Sequence, residues 1–146
     1  MILTINGHAV EIQAEPATPL IDVLRNELGL TGTRYGCGLE QCGSCLVLEG
    51  GAPVHACTRE VGHVGGDIVT VEGLAGDGLI EAFLAEQAGQ CGYCLSGMII
   101  AAKALLMRHP HPTREQIVAA LDNNLCRCGT HHRILRAVVR AAGIAA

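Results

Sequence analysis

The N-terminal residues alternate between apolar and polar. Ile2-Leu3-Thr4-Ile5 and Ala9-Val10-Glu11-Ile12 flank Asn6-Gly7, the favoured two-residue hairpin turn, in which both positions take positive φ. Thr18 before Pro19 predicts a helix with Thr18 as N-cap and Pro19 at the first helical position. Leu20, Leu24 and Leu28 then recur every four residues, and Gly29 stands where that helix should stop. Apolar runs at 46–48, 54–57 and 68–71 predict further strands, the first two joined by Gly50-Gly51.

Beyond Leu74 the period changes from two to helical. Leu79, Ile80, Phe83 and Leu84 share one predicted face, in a helix ending near Gly89. Residues 98–107 predict a second helix, closed by His109-Pro110-His111-Pro112. Thr113 with Gln116 three residues later reads as a capping box, followed by Ile117, Val118 and Leu121. Ile134, Leu135, Val138 and Val139 mark a fourth helix. The expected architecture is α+β: a β-grasp ferredoxin-type domain over residues 1–74, then a four-helix bundle over 75–146. Each half is small enough that burial alone is marginal, at roughly 60% of the unfolded surface.

Composition removes several function classes. The chain has 146 residues, 49% of them hydrophobic and 16% charged, which excludes a disordered chain. A net charge of −4 and only three aromatic residues, Tyr35, Phe83 and Tyr93, leave no basic footprint or stacking platform for nucleic acid. The most apolar stretch is interrupted by Lys103 and falls short of the roughly 18 residues a membrane span needs. The first residues carry no basic region or cleavage site, so the expected compartment is the cytoplasm, at the inner membrane only through a partner. Export bound to a partner that carries the signal is the alternative.

The eight cysteines form two quartets. Cys37, Cys42, Cys45 and Cys57 read C-x4-C-x2-C-x11-C, the plant-type ferredoxin spacing for a 2Fe–2S cluster. Zinc sites favour two short pairs, whereas three of these cysteines sit on one loop. Glycines 36, 38 and 43 let that loop wrap an anionic cluster and aim amide N–H groups at its sulfurs. The second quartet, Cys91, Cys94, Cys126 and Cys128, is less specific. From spacing alone it admits an iron–sulfur cluster, zinc or a redox pair, although a redox pair wants a preceding strand and a helix stands there instead. The quartet falls at helix ends, where two helical hairpins would meet at one metal site.

At Tyr35-Gly36-Cys37-Gly38, Gln90-Cys91-Gly92-Tyr93-Cys94 and Asn124-Leu125-Cys126-Arg127-Cys128-Gly129 the chain resembles the small iron–sulfur subunit of the molybdenum hydroxylase (xanthine oxidase) family. The resemblance covers nearly the whole length. It implies two 2Fe–2S clusters on the eight cysteines, and a large partner subunit holding molybdopterin, expected as the cytosine dinucleotide form. It also implies pterin contacts from Gln90 and Cys128, Cys128 being an iron ligand as well. Gly129-Thr130-His131 and Cys94-Leu95-Ser96-Gly97-Met98 resemble the branch acting on N-heteroaromatics, of the nicotinate dehydrogenase and isoquinoline oxidoreductase type. The expected function is therefore electron relay from the molybdenum centre to a flavin subunit, a cytochrome c-type haem domain or another acceptor. No substrate-transforming site is expected in this chain. Competing readings are a subunit of an aldehyde dehydrogenase of the same family, a free-standing two-cluster ferredoxin and a zinc-stabilised binding module. His131 is expected to pack or support the second site, and Arg34 and Arg127 to offset cluster charge or form surface ion pairs.

Overall fold

The computed structural model describes residues 1–144. Strands β1 (Ile2–Ile5) and β2 (His8–Glu11) form the expected hairpin, with Asn6 at φ 52° and Gly7 at φ 81°. Strands β3 (Leu46–Glu49) and β4 (Ala52–His55) form a second hairpin, and β5 (Ile68–Val69) lies between the two. The sheet order is β2-β1-β5-β3-β4, with β1 and β5 parallel and the other pairs antiparallel.

The first helix, α1, differs from the sequence pattern. It is one α turn, Leu20–Asp22, that widens into a π turn, Val23–Glu27, and Pro19 rather than Thr18 is its N-cap. Pro19 is extended at ψ 135° because the chain around it is held like a strand. Pro19 bridges Glu60, Leu20 N–H donates to the Arg59 carbonyl at 2.7 Å, and Val61 N–H donates to the Thr18 carbonyl at 2.9 Å. These pairings outweigh the local preference for Pro inside the first turn.

Two strands also end elsewhere than expected. β4 ends at His55, leaving Cys57 just beyond it. β5 stops at Val69, and a 3₁₀ turn, Val71–Leu74, follows. Thr70 leaves the ladder because the Asn6 side chain satisfies it. Its N–H donates to Asn6 Oδ1 at 2.9 Å, and Asn6 Nδ2 donates to its hydroxyl at 3.0 Å.

Four helices fill the second half: α2 (Gly78–Ala85), α3 (Leu95–Arg108), α4 (Arg114–Leu121) and α5 (His131–Ala142). The Asp77 carboxylate caps α2 by accepting from Leu79 N–H at 2.9 Å, and Thr113 with Gln116 forms the expected capping box of α4. Gly143 ends α5 at φ 64°, where a left-handed residue suits glycine. Leu79 and Phe83 are buried as expected, but Leu84 is 67% exposed and Val118 44% exposed.

The two halves are not packed separately. In β3 the side chains alternate: Val47 joins the core around α1, while Leu46 and Leu48 join the helical core on the other face of the sheet. Fully buried Met98 and Ile100 of α3 belong to that second core. Placing α3 against the sheet brings the loops that carry the cysteines to one region of the molecule.

Candidate metal centres

Three cysteines of the first quartet lie on the loop between α1 and β3, and Cys57 follows β4. Cys45 and Cys57 are buried and Cys37 and Cys42 half-buried. The loop curls around the Cys37 sulfur, which accepts from the N–H groups of Leu39 at 3.3 Å, Gln41 at 3.2 Å and Cys42 at 3.4 Å. Cys42 Sγ accepts from Cys37 N–H at 3.4 Å. Gly36 is required by space, since a Cβ there would stand 2.6 Å from Cys42 Sγ.

These contacts tune the thiols. Hydrogen bonds from Leu39 and Gln41 lower Cys37 to about 7. Burial pushes Cys45 up to about 12. A cation that displaces the proton restores the buried sulfur's charge balance, which is how thiolate ligation couples to folding.

The second quartet is set by helix ends. Cys94 is the N-cap of α3 and is buried, while Cys91 is exposed on the α2–α3 connection. Cys126 and Cys128 are half-buried between α4 and α5. The four thiols lie close enough to act on one another's ionisation, Cys128 and Cys126 on Cys91, and Cys126 and Cys91 on Cys94. Burial pushes Cys94 up to about 12. Burial also raises Cys126, but hydrogen bonds from the Thr130 hydroxyl and backbone outweigh it and bring the thiol to about 6. The Cys126 sulfur and Thr130 hydroxyl are 3.5 Å apart.

In the first quartet Cys42 acts likewise on Cys37, and Cys57 and Cys42 on Cys45. All eight cysteines are free thiols. Among the described residues no three His, Cys, Asp or Glu side chains converge as ligands of a single ion must. A single zinc wants all four sulfurs at about 2.3 Å from one point, whereas a two-iron centre divides its four ligands between two irons. Four thiols per site match the ligand number of either, and the C-x4-C-x2-C spacing of the first quartet is that of the two-iron centre.

Other expected residues fall as follows. Gln90 is exposed beside Cys91. His131 is exposed in the first turn of α5 and lines an apolar groove of about 540 Å³ between α4 and α5. Leu121, Leu125, Cys126 and Ile134 also line it, and Leu125 is 62% exposed. The Arg34 guanidinium lies 5.3 Å from the centre of the Tyr93 ring. Tyr93 Oη in turn donates to the Tyr35 carbonyl at 2.5 Å, tying the two cysteine loops together. Arg127 is exposed.

The buried polar seam beneath that tie does not show in the sequence patterning. Ser44, Ser96 and Asn124 are 6%, 8% and 3% exposed. One signal was present, Gly97 inside an otherwise apolar helix, where glycine is costly unless another backbone approaches. A Cβ on Gly97 would stand 1.9 Å from the Gly43 carbonyl oxygen.

Comparison with known proteins agrees with this construction. Residues 3–67 match the family model described as a 2Fe-2S iron-sulfur cluster binding domain, and residues 70–139 match the one described as a [2Fe-2S] binding domain. One nicotinate dehydrogenase subunit of Pseudomonas putida is 52% identical over 96% of this chain and 92% of its own length. This chain belongs to the small 2Fe–2S subunits of the molybdenum hydroxylase family. It is thus an electron-transfer subunit of an oxidoreductase. The solved quinoline 2-oxidoreductase of Pseudomonas putida 86 contains a chain with TM-score 0.91 and 39% identity, matched over 97% of this chain and 91% of that one. Aldehyde oxidoreductase from Desulfovibrio desulfuricans matches with TM-score 0.92 and 36% identity over 97% of this chain but only 17% of its own. No helix among the described residues is long and apolar enough to cross a membrane.

Proposed function

We propose that this chain relays electrons from a molybdopterin centre on a large partner subunit, through two 2Fe–2S clusters, to an external acceptor. Residues 1–74 form the β-grasp unit, with Cys37, Cys42, Cys45 and Cys57 as ligands. The helical unit, 75–146, uses Cys91, Cys94, Cys126 and Cys128; residues 145 and 146 lie outside those described. The observation that carries the reading is the presence on one chain of two free-thiol quartets, each brought together by the fold.

When bound, each cluster supplies storage of one electron. The chain's own work is to hold and insulate. Amides of Leu39, Gln41 and Cys42 donate to the Cys37 sulfur, a contact that favours the reduced, more negative state. Burial of Cys45 and Cys57 in the core around α1 keeps water from that side, while exposed Leu39 leaves the other open to an acceptor, a flavin subunit or a cytochrome c-type haem domain.

The large subunit is assigned to the side of the second quartet, where Gln90 and Cys128 contact the pterin. Support comes from the apolar groove beside Cys126, rimmed by exposed Leu125, a surface suited to cover by a partner. The Desulfovibrio relative supports it too, since most of that chain lies outside the matched part and has room for what a separate subunit would supply here. The substrate we propose is an N-heteroaromatic such as nicotinate, on the strength of the nicotinate dehydrogenase and quinoline oxidoreductase relatives. The aldehyde oxidoreductase likeness makes an aldehyde the second reading.

Metal analysis of the natively purified assembly tests this. Iron and acid-labile sulfide at about four each per chain, with co-purifying molybdenum, are expected from two 2Fe–2S sites. Zinc with no iron would overturn the cluster assignment, and iron in a chain that purifies alone without molybdenum would favour a free-standing ferredoxin.

A further inference from the structure

Three consecutive carbonyls of the first cysteine loop accept hydrogen bonds from the second half of the chain. Leu125 N–H donates to the Cys42 carbonyl at 3.0 Å. Asn124 Nδ2 donates to the Gly43 carbonyl at 3.3 Å, and Ser96 Oγ to the Ser44 carbonyl at 3.4 Å. Cys42 belongs to one quartet, and Leu125 is bonded directly to Cys126 of the other.

We propose that the Leu125 N–H to Cys42 carbonyl hydrogen bond is the electronic link between the two quartets, and that Asn124 is the positioning residue that holds it. The proposal rests on the electron-transfer reading above. Electron tunnelling decays far less along covalent bonds and short hydrogen bonds than across gaps, so the route with fewest steps outside the ligand residues dominates. This route runs along the backbone from Cys126 through Leu125, then by one hydrogen bond into Cys42 itself. The alternatives are longer. The Tyr93 hydroxyl reaches Tyr35, which Gly36 separates from Cys37, and it does so through an exposed phenol. Ser96 is separated from Cys94 by Leu95 and makes the longest of the three bonds.

Asn124 stands at the centre of this packing. Gly43 has φ 75°, and a Cβ there would lie 2.4 Å from Asn124 Nδ2 and 3.0 Å from the Asn123 carbonyl oxygen. On the other side Gly97 of α3 presses on the same residue. Gly43 is thus gripped between α3 and residues 123–125, which fixes where Leu125 N–H points. The Asn124 Oδ1 is buried without a partner. Alanine at this position removes one long hydrogen bond together with one unsatisfied acceptor, so the variant keeps its fold. The transfer itself moves one electron: the donor site is oxidised by one, the acceptor site reduced by one, and no bond or proton changes hands. The molybdenum centre of the partner is the upstream reductant, and dithionite or a photoreductant replaces it in vitro.

The test uses the natively purified assembly with both sites filled, as shown by iron content and two distinct EPR signals. A photoreductant pulse delivers less than one electron per chain, samples are frozen at intervals, and the two EPR intensities follow electron equilibration. Asn124→Ala is expected to slow that equilibration by an order of magnitude while both midpoint potentials and g values stay at wild type. Hydrogen exchange at the Leu125 amide accelerates in the same variant. Tyr93→Phe, which cuts the other tie, leaves the equilibration rate unchanged. An unchanged rate in Asn124→Ala, or equal slowing in Tyr93→Phe, overturns the proposal. So does a Leu125 amide in wild type that exchanges as fast as exposed loop amides, a measurement that needs no variant. Failure of the electron-transfer reading would show earlier, as zinc or a missing EPR signal in wild type.

Discussion

Replacing Gly97 by alanine sets two effects of opposite sign against each other. On helix propensity alone, alanine inside α3 stabilises by about 1 kcal/mol. The structure argues otherwise. The new Cβ would lie 1.9 Å from the Gly43 carbonyl oxygen, 2.8 Å from its carbon and 3.1 Å from Ser44 Cα, all backbone atoms. Reaching ordinary contact moves helix from loop by more than an ångström. Overpacking of that kind costs about 1–3 kcal/mol. The bonds from Ser96 and Asn124 to the loop, at 3.4 and 3.3 Å, are too long to survive such a shift. Each is worth about 1 kcal/mol and leaves a buried acceptor unpaired. The net expectation is a loss of about 3 kcal/mol, or a Tm lower by roughly 6–12 °C for a domain of this size. Calorimetry of wild type and Gly97→Ala, both with iron content matched, measures it. Gly78→Ala is the internal control: no atom lies within 4 Å of a Cβ there, so its Tm should hold or rise. A Gly97→Ala Tm at or above wild type would refute the tight seam between α3 and the first cysteine loop.

Other perturbations separate the parts of the account. Cys57→Ser should remove one of the two EPR signals and leave the other; persistence of both would show that Cys57 is not a ligand. Gln90→Ala should keep wild-type iron but lose molybdenum on purification, whereas full molybdenum content and turnover would exclude the pterin contact. Glu49 gives a pH test. Burial raises its carboxyl, but the hydrogen bond from Arg59, the Gly65 N–H and the Arg59 charge outweigh it and hold it below its ordinary 4.5. A carboxylate lowered on folding stabilises above its unfolded pKa and loses that contribution as pH falls through the folded value. The Tm deficit of Glu49→Gln should therefore be full near neutrality and shrink below about pH 4.5; a deficit constant through that range would show that the ion pair contributes nothing.

The sequence was most informative where signals are local. The Asn6-Gly7 hairpin and the Thr113–Gln116 capping box rest on residues a few positions apart, and local chemistry alone fixes them. Pro19 was misplaced by one position because its conformation is set by pairing with residues about forty positions away. β5 was overextended because Asn6, on another strand, takes over the hydrogen bonds of Thr70. The link among Cys42, Gly43, Asn124 and Leu125 joins segments roughly eighty residues apart, and no periodicity encodes it. Gly97 inside an apolar helix was its one visible trace. The alternation of β3, with Val47 to one core and Leu46 and Leu48 to the other, also depends on knowing that α3 covers the sheet.

The central claim is that electrons from substrate oxidation on a partner reach this chain. Anaerobic addition of nicotinate to the natively purified assembly, and of an aldehyde to a separate sample, tests it through the visible iron–sulfur absorbance. Nicotinate is expected to bleach the same bands that dithionite bleaches, before any external acceptor is added. No bleaching by either compound, in a sample that dithionite still reduces and that contains molybdenum, would contradict the claim.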